Sequence, residues 1–177
     1  SLVVGLSVCL GLYSLYDSVA VRPLPVHHAR RLVAVIEQRG ADTNRGFSYL
    51  DYTDFRANAR TLRDLVAFGS IRGTMSGSDG SALIAGELVS GSYFDALAVP
   101  MKSGRGLTND DQVSGAPVIV VSESLLRTRF GTDPPPASVT INKQALTIGG
   151  VAAAPLAGLH NGGGTQFSAS LTEYGRL

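Results

Sequence analysis

Tryptophan is absent from the 177 residues, cysteine occurs once, and charged residues make up only 16% of the chain. Each shortage removes a class of function. The lone Cys9 can form neither an intrachain disulfide nor a cysteine-based zinc site, and one thiol inside an apolar run behaves as a small hydrophobe. A formal net charge of +1, with no basic stripe interleaved with aromatics, leaves little to neutralise phosphates, so no nucleic-acid partner is expected. There is no G-x-x-x-x-G-K-[ST] and no G-x-S-x-G, which excludes a P-loop ATPase site and a nucleophile elbow within this chain. Gly162-Gly163-Gly164 follows no strand and opens no helix, so it is not a phosphate cradle. His27, His28 and His160 lack a metal-ligand partner at helical spacing, and Asp110 and Asp111 lack the EF-hand pattern. The expectation is a protein without catalytic residues, metal or cofactor.

What is present suits a folded, loop-containing domain: 44% hydrophobic residues and 21 glycines over a length that fits one domain, divided at most into two lobes. The first charge is Asp17, after the run SLVVGLSVCLGLYSLY. As a helix that run covers roughly 24 Å against a hydrocarbon core of roughly 30 Å. It starts at Ser1 with no preceding Lys or Arg, and we read residues 1–21 as the C-terminal, outer part of a transmembrane helix. Gly5, Ser7, Cys9 and Gly11 supply small residues for helix contacts, and Tyr13 and Tyr16 fall near the interface. A signal peptide cleaved after Ala20 competes, but it lacks the positive n-region. A buried core helix competes too, but it would be striped rather than apolar all round. Arg22, Arg30 and Arg31 pull the other way on orientation, since the positive-inside rule would place that flank in the cytoplasm.

Arg22-Pro23-Leu24-Pro25 ends the helix. Leu32–Ile36 (LVAVI) reads as a buried strand and residues 39–46 as a polar loop. Ser48 and Asp51 form a capping-box pair opening a helix, with Asp51 and Asp54 on the positive end of its dipole rather than acting as an acid/base pair. Tyr49, Tyr52, Phe55, Ala59, Leu62 and Val66 recur at steps of three or four, which predicts one packed face. Residues 67–75 and 82–89 read as strands around a turn at 76–80. Ser92 is placed as the cap of a short helix to Ala98, and 108–115 as a polar loop. Val118–Val121 reads as a strand, Ser122 as the cap of a helix packing Leu125, Leu126 and Phe130, and residues 138–141 and 145–151 as a hairpin around Asn142-Lys143. That strand–helix–strand order suggests a βαβ-type unit. Lys143 is a mismatch costing about 1 kcal/mol if its φ is positive. Beyond Ala152 the composition reads as mobile loop.

Several short motifs, weak singly but ordered and spaced alike, resemble MacB-like permeases of the FtsX-type ABC-transporter class, the orphan duplicated subgroup in particular. They are Gly11–Pro25, Phe47–Tyr52, VSGSYFDAL at 89–97 with Gly104-Arg105, residues 118–131, and 139–151 with its Asn142 turn. The resemblance covers roughly residues 5–155. Lys143 departs from the family's Gly, and Ala152–Pro155 blurs a Pro-rich motif.

The resemblance implies an α+β fold: an N-terminal transmembrane helix (1–21), a two-lobed extracytoplasmic domain of mixed sheets and short helices (22–155), and a loop-rich, incomplete C-terminal segment (156–177). It implies residence in the cell (inner) membrane, with residues from Arg22 onward outside the cytoplasm. It also implies a non-catalytic role in coupling membrane-helix movement to export or envelope contacts. A cytoplasmic ABC ATPase, separate or fused, would be a partner, and the permease a dimer. No catalytic residue transfers from the family. Tyr93 and Phe94 are the expected core or inter-lobe anchors, Arg105 a turn or interface residue, and Tyr49, Tyr52 and Phe55 further interface candidates. The competing reading is a secreted or membrane-anchored binding domain with no transport role.

Overall fold

In a computed structural model, the structure describes residues 32–39, 42–77, 80–131, 136–153 and 164–175, with Leu6, Ser7, Cys9 and Tyr13. Strands β1 (Glu37–Arg39) and β2 (Asp42–Arg45) form a separate two-stranded antiparallel sheet. Helix α1 is Tyr49–Asn58. Then come β3 (Phe68–Gly77), β4 (Gly80–Val89), the short helix α2 (Tyr93–Ala96) and β5 (Met101–Gly104). They are followed by α3 (Asn109–Ser114), β6 (Val118–Ser122) and α4 (Glu123–Arg129). The chain closes with β7 (Ser138–Ile141), β8 (Gln144–Ala152), β9 (Phe167–Ser170) and a 3-10 turn, Leu171–Gly175.

The large sheet runs β5-β8-β6-β9-β4-β3-β7, and β7 also pairs with β8, so the sheet curls back on itself. It is mixed: β6 runs parallel to β8, and β9 lies parallel to β4 but antiparallel to β6. Period-two alternation supplies a core on each face. Leu88, Ile119, Val121, Val151, Phe167 and Ala169 join Ile84, Ile141 and Leu146 on one side. Their neighbours Val89, Val120 and Ala152 turn to the other, where they meet Tyr93, Phe94, Leu97 and Leu107. Helix α4 closes the first core with Leu125 and Leu126, its start fixed by Ser122 Oγ accepting from the Leu125 amide at 3.2 Å.

The mixed α+β class, with few and short helices, is as expected. The β3–β4 pair and the β7–β8 hairpin hold through their full registers. Asn142 and Lys143 both have positive φ, 49° and 68°, so the turn is of the type that suits Gly better than Lys. Parallel β6 and β8 flank α4 in the βαβ manner.

Four readings need correction. Leu32–Ile36 is no buried strand: it makes no ladder, and Val33 and Ile36 are 71% and 68% exposed. Apolar composition made the run look like a strand, but nothing among the described residues pairs with it. Residues 39–46, read as loop, hold most of the β1–β2 pair. Residues 108–115, also read as loop, form α3, with a capping box between Thr108 and Asp111. Last, the loop-rich reading of 156–177 gives way at Phe167, because β9 lies inside the sheet between β6 and β4.

The Phe167 ring explains one glycine. A Cβ on Gly86 would lie 2.3 Å from that ring, so β4 leaves a lane there for β9 to seat its aromatic side chain. The transmembrane helix expected over 1–21 and His27, His28 and His160 lie outside the described residues, apart from Leu6, Ser7, Cys9 and Tyr13, which are helical and exposed. Among the described residues no helix is long and apolar enough to cross a membrane.

Candidate functional site

The candidate region is the junction where β4 runs into α2 and the chain returns through β5 to α3. Ser90 fixes its start: its amide donates to the Ala67 carbonyl at 2.9 Å and its Oγ accepts from the Ala67 amide at 3.1 Å. Tyr93 and Phe94 are each 3% exposed, their rings edge to face with centroids 5.6 Å apart. Tyr93 Oη donates to Glu87 Oε2 at 3.4 Å. Burial, and secondly the neighbouring Glu87 carboxylate, push the Tyr93 phenol well above its ordinary range, so it stays a neutral donor. Ser92, expected as the α2 cap, makes no capping bond; it has helical φ and ψ, and its Oγ donates to the Leu65 carbonyl at 3.4 Å instead.

Helix α3 is clamped to this corner. Asp111 Oδ2 accepts from the Thr108 amide and Oγ1 at 2.9 and 2.8 Å, and Thr108 Oγ1 accepts from the Asp111 amide at 3.3 Å. Both terminal nitrogens of Arg105 donate to the same carboxylate, Nη2 to Oδ1 at 2.8 Å, in the bidentate geometry that suits Arg. Those bonds, Arg105's first and then Thr108's, hold the Asp111 carboxyl well below the usual carboxylate range, against the opposing effect of burial. The Arg105 amide donates to the Gly149 carbonyl at 3.0 Å, which ties the pair to β8. Gly91 runs so close to α3 that a Cβ there would lie 2.6 Å from the Thr108 and Asn109 backbone. Its amide donates to Gln112 Oε1 at 2.6 Å.

Gln112 then reaches outward, its Nε2 donating to Tyr49 Oη at 3.0 Å, and Arg56 Nη2 donates to Asn109 Oδ1 at 3.3 Å. Polar bonds, rather than the expected apolar stripe, therefore seat α1 against α3. The helix stops at Asn58, and of its predicted face only Tyr52 is buried. Tyr52 Oη donates to the Leu65 carbonyl at 3.4 Å. Tyr49 and Phe55 are 47% and 48% exposed, Phe55 stacking edge to face on Phe47 at 5.4 Å. A polar cleft of about 240 Å³ opens beside this helix, lined by Arg56, Ala59, Leu62, Arg63, Asp64, Leu65 and Ser92.

The structure thus brings Tyr93, Phe94 and Arg105 into one corner and joins Tyr49 to it through Gln112. Phe55 stands apart, and Asp51 is engaged in the α1 capping box with Ser48. In the cleft's lining Asp64 lies 3.8 Å from the Arg63 guanidinium, and Ser92 Oγ donates to the Leu65 carbonyl. Gln112 went unnoticed in the sequence, and Asp111 was weighed there only as a cation ligand on a loop, not as a helix cap. Thr108-Asn109-Asp110-Asp111 is itself a capping-box spelling and could have revealed α3, whereas nothing local announces Gln112. Side-chain hydrogen bonds thus link α1 to α3, and α3 to the β4–α2 junction and the turn after β5.

Residues 1–176 match the sequence profile of a family described as MacB-like periplasmic core domain. No curated protein matches the chain. Among solved structures it is similar to the periplasmic region of MacB from Actinobacillus actinomycetemcomitans, with 19% identity and a TM-score of 0.58, over 70% of this chain and 55% of that one. It is also similar to the extracellular domain of the noncanonic ABC-type transporter YknZ from Gram-positive bacteria, with 18% identity and a TM-score of 0.59, over 70% of this chain and 62% of that one. At these identities the likeness is one of fold, and this chain spans less than two thirds of either structure.

Proposed function

The chain belongs to the MacB-like periplasmic core domain family, and from that membership we propose that it is the extracytoplasmic domain of an ABC-transporter permease of the FtsX type, a part that transmits movement and performs no chemistry. Its partners in this reading are a cytoplasmic ABC ATPase that hydrolyses the ATP and a second permease subunit. It works outside the cytoplasm at the cell membrane, without cofactor, in export or in contacts with envelope components.

The observation that carries the reading is Gln112. One side chain bonds the α1 tyrosine, Tyr49, and the junction amide of Gly91, while its neighbour Asp111 is bonded to Arg105 on the return from β5. A helix joined to a sheet through directional polar bonds moves with it, which is what a coupling domain needs.

Val113, 88% exposed on α3, gives the test a handle. In cells expressing the full natural protein, V113C in a C9S background should react with a membrane-impermeant maleimide before lysis and sediment with membranes. Labelling that appears only after lysis would exclude an extracytoplasmic domain. A labelled protein free in the medium would instead support a secreted binding domain.

A further inference from the structure

The β3–β4 hairpin is longer than the strands that flank it. In an antiparallel pair, alternate residues direct both main-chain groups toward one neighbour or the other. Thr74 and Ala85 show which residues point away from the hairpin. Thr74 bonds the Asn142 amide and Oδ1 at 2.9 and 2.8 Å, and Ala85 bonds the Gln166 amide and Oε1 at 2.8 and 3.1 Å. By that alternation Ser70 and Arg72 on β3, and Ser81 and Leu83 on β4, also point outward. Yet β7 pairs only with Met75 and Ser76, and β9 pairs with β4 only from Gly86. Among the described residues, then, the hairpin has two open edges.

The two edges differ in chemistry. Arg72 puts an exposed charge on the β3 edge, a common device against edge pairing. The β4 edge, Gly80–Gly86, reads GSALIAG, with neither charge nor proline, and Leu83 is 68% exposed on it. An uncharged, leucine-bearing open edge is a template for another strand.

We propose that this edge is covered by the same edge of a second copy, in antiparallel register about a two-fold axis at Ala82. Ser81 of each copy then faces Leu83 of the other, each pair exchanging both main-chain bonds, and the two leucines meet diagonally. Ala82 faces Ala82 in the closer, non-hydrogen-bonded spacing, where small side chains fit. Ala85 falls opposite residue 79, beyond the strand's start at Gly80, so Gln166 keeps its bonds. The open stretch of β4 is thus bounded and self-complementary. The β3 edge is not: two-fold pairing about Ile71 would set Phe68 of one copy on Thr74 of the other, where Asn142 already sits. This interface gives a surface to the second subunit of the reading above, and its test is independent of the coupling role.

The test is cysteine cross-linking of the full chain in a C9S background. Non-hydrogen-bonded partners lie about 4.5 Å apart at Cα, within disulfide reach. Under mild oxidation A82C should form a disulfide-linked dimer and S70C should not. Adding L83R to A82C should cut the yield about tenfold, because symmetry introduces the unfavourable contact twice. Leu83 is exposed, so L83R should keep its circular dichroism spectrum. A82C that cross-links no faster than S70C, or a yield that L83R leaves unchanged, would overturn the proposal.

Discussion

Asp111 concentrates the electrostatics of the junction in one side chain: Arg105 and Thr108, at the two ends of the connection from β5 to α3, both donate to it. Because its folded-state pKa lies below that of the unfolded chain, the stabilisation is complete above the ordinary carboxylate pKa of about 4 and is lost as pH falls through the depressed value. Replacing Arg105 by Ala removes the largest cause. The Asp111 carboxyl should then titrate nearer its ordinary value in a carbon-detected NMR titration. Arg105's side chain is 55% exposed, so the loss of stability at neutral pH should be only about 1 kcal/mol, shrinking toward acid. An Asp111 titration unmoved in R105A would refute the assignment. Phe94 makes a different residue-scale case, with no charge involved: at 3% exposure in the second core, F94A should cost about 3–5 kcal/mol in urea unfolding. Tyr93 and Phe94 were legible because two aromatics follow directly on a strand-like run. Asp111's role was not, since its partner Arg105 belongs to a different turn.

At the scale of elements, the hairpins were the most readable parts, their turns and alternation being local signals. The β7–β8 turn keeps the mismatch anticipated for Lys143, whose φ is 68°. K143G should therefore raise stability by about 1 kcal/mol, measured as a shift in thermal midpoint. A drop would mean that Lys143 makes a contact that offsets its strained backbone. Asn142 and Gln166 each stand in for a missing strand residue, one through its amide and Oδ1, the other through its amide and Oε1. Alanine at either position keeps the main-chain bond and loses the side-chain one, so N142A should speed hydrogen exchange at the Thr74 amide and Q166A at Ala85, each with about 1 kcal/mol lost. No propensity or periodicity points to such bonds, because residues 68 and 81 positions apart make them. Leu32–Ile36 misleads in the opposite way: its composition favours a strand, but a strand needs a neighbour.

Across the whole molecule the deciding segment is the one that looked least structured. Phe167–Ser170 alternates apolar and polar (Phe, Ser, Ala, Ser), but over only four residues after a glycine-rich stretch, and its serines are as buried as its apolar residues. Four residues are too short a pattern to stand out, and alternation would in any case predict one covered face where this strand has two. Yet β9 bonds β4 through Gly86–Val89 and β6 through Ile119–Val121, and Phe167 fills the lane left by Gly86. Without it β4 and β6 would each gain an open edge inside the sheet, and the first core would lose Phe167 and Ala169 together. A chain ending at residue 164 should therefore fail to show a cooperative unfolding transition. F167A, which keeps the ladder and removes only the ring, should fold but lose about 3–5 kcal/mol. In the intact chain the amides of β9 should exchange only through global unfolding, at the same free energy as those of β6. Faster exchange in β9 than in β6 would mean that the last strand docks onto a sheet already complete without it.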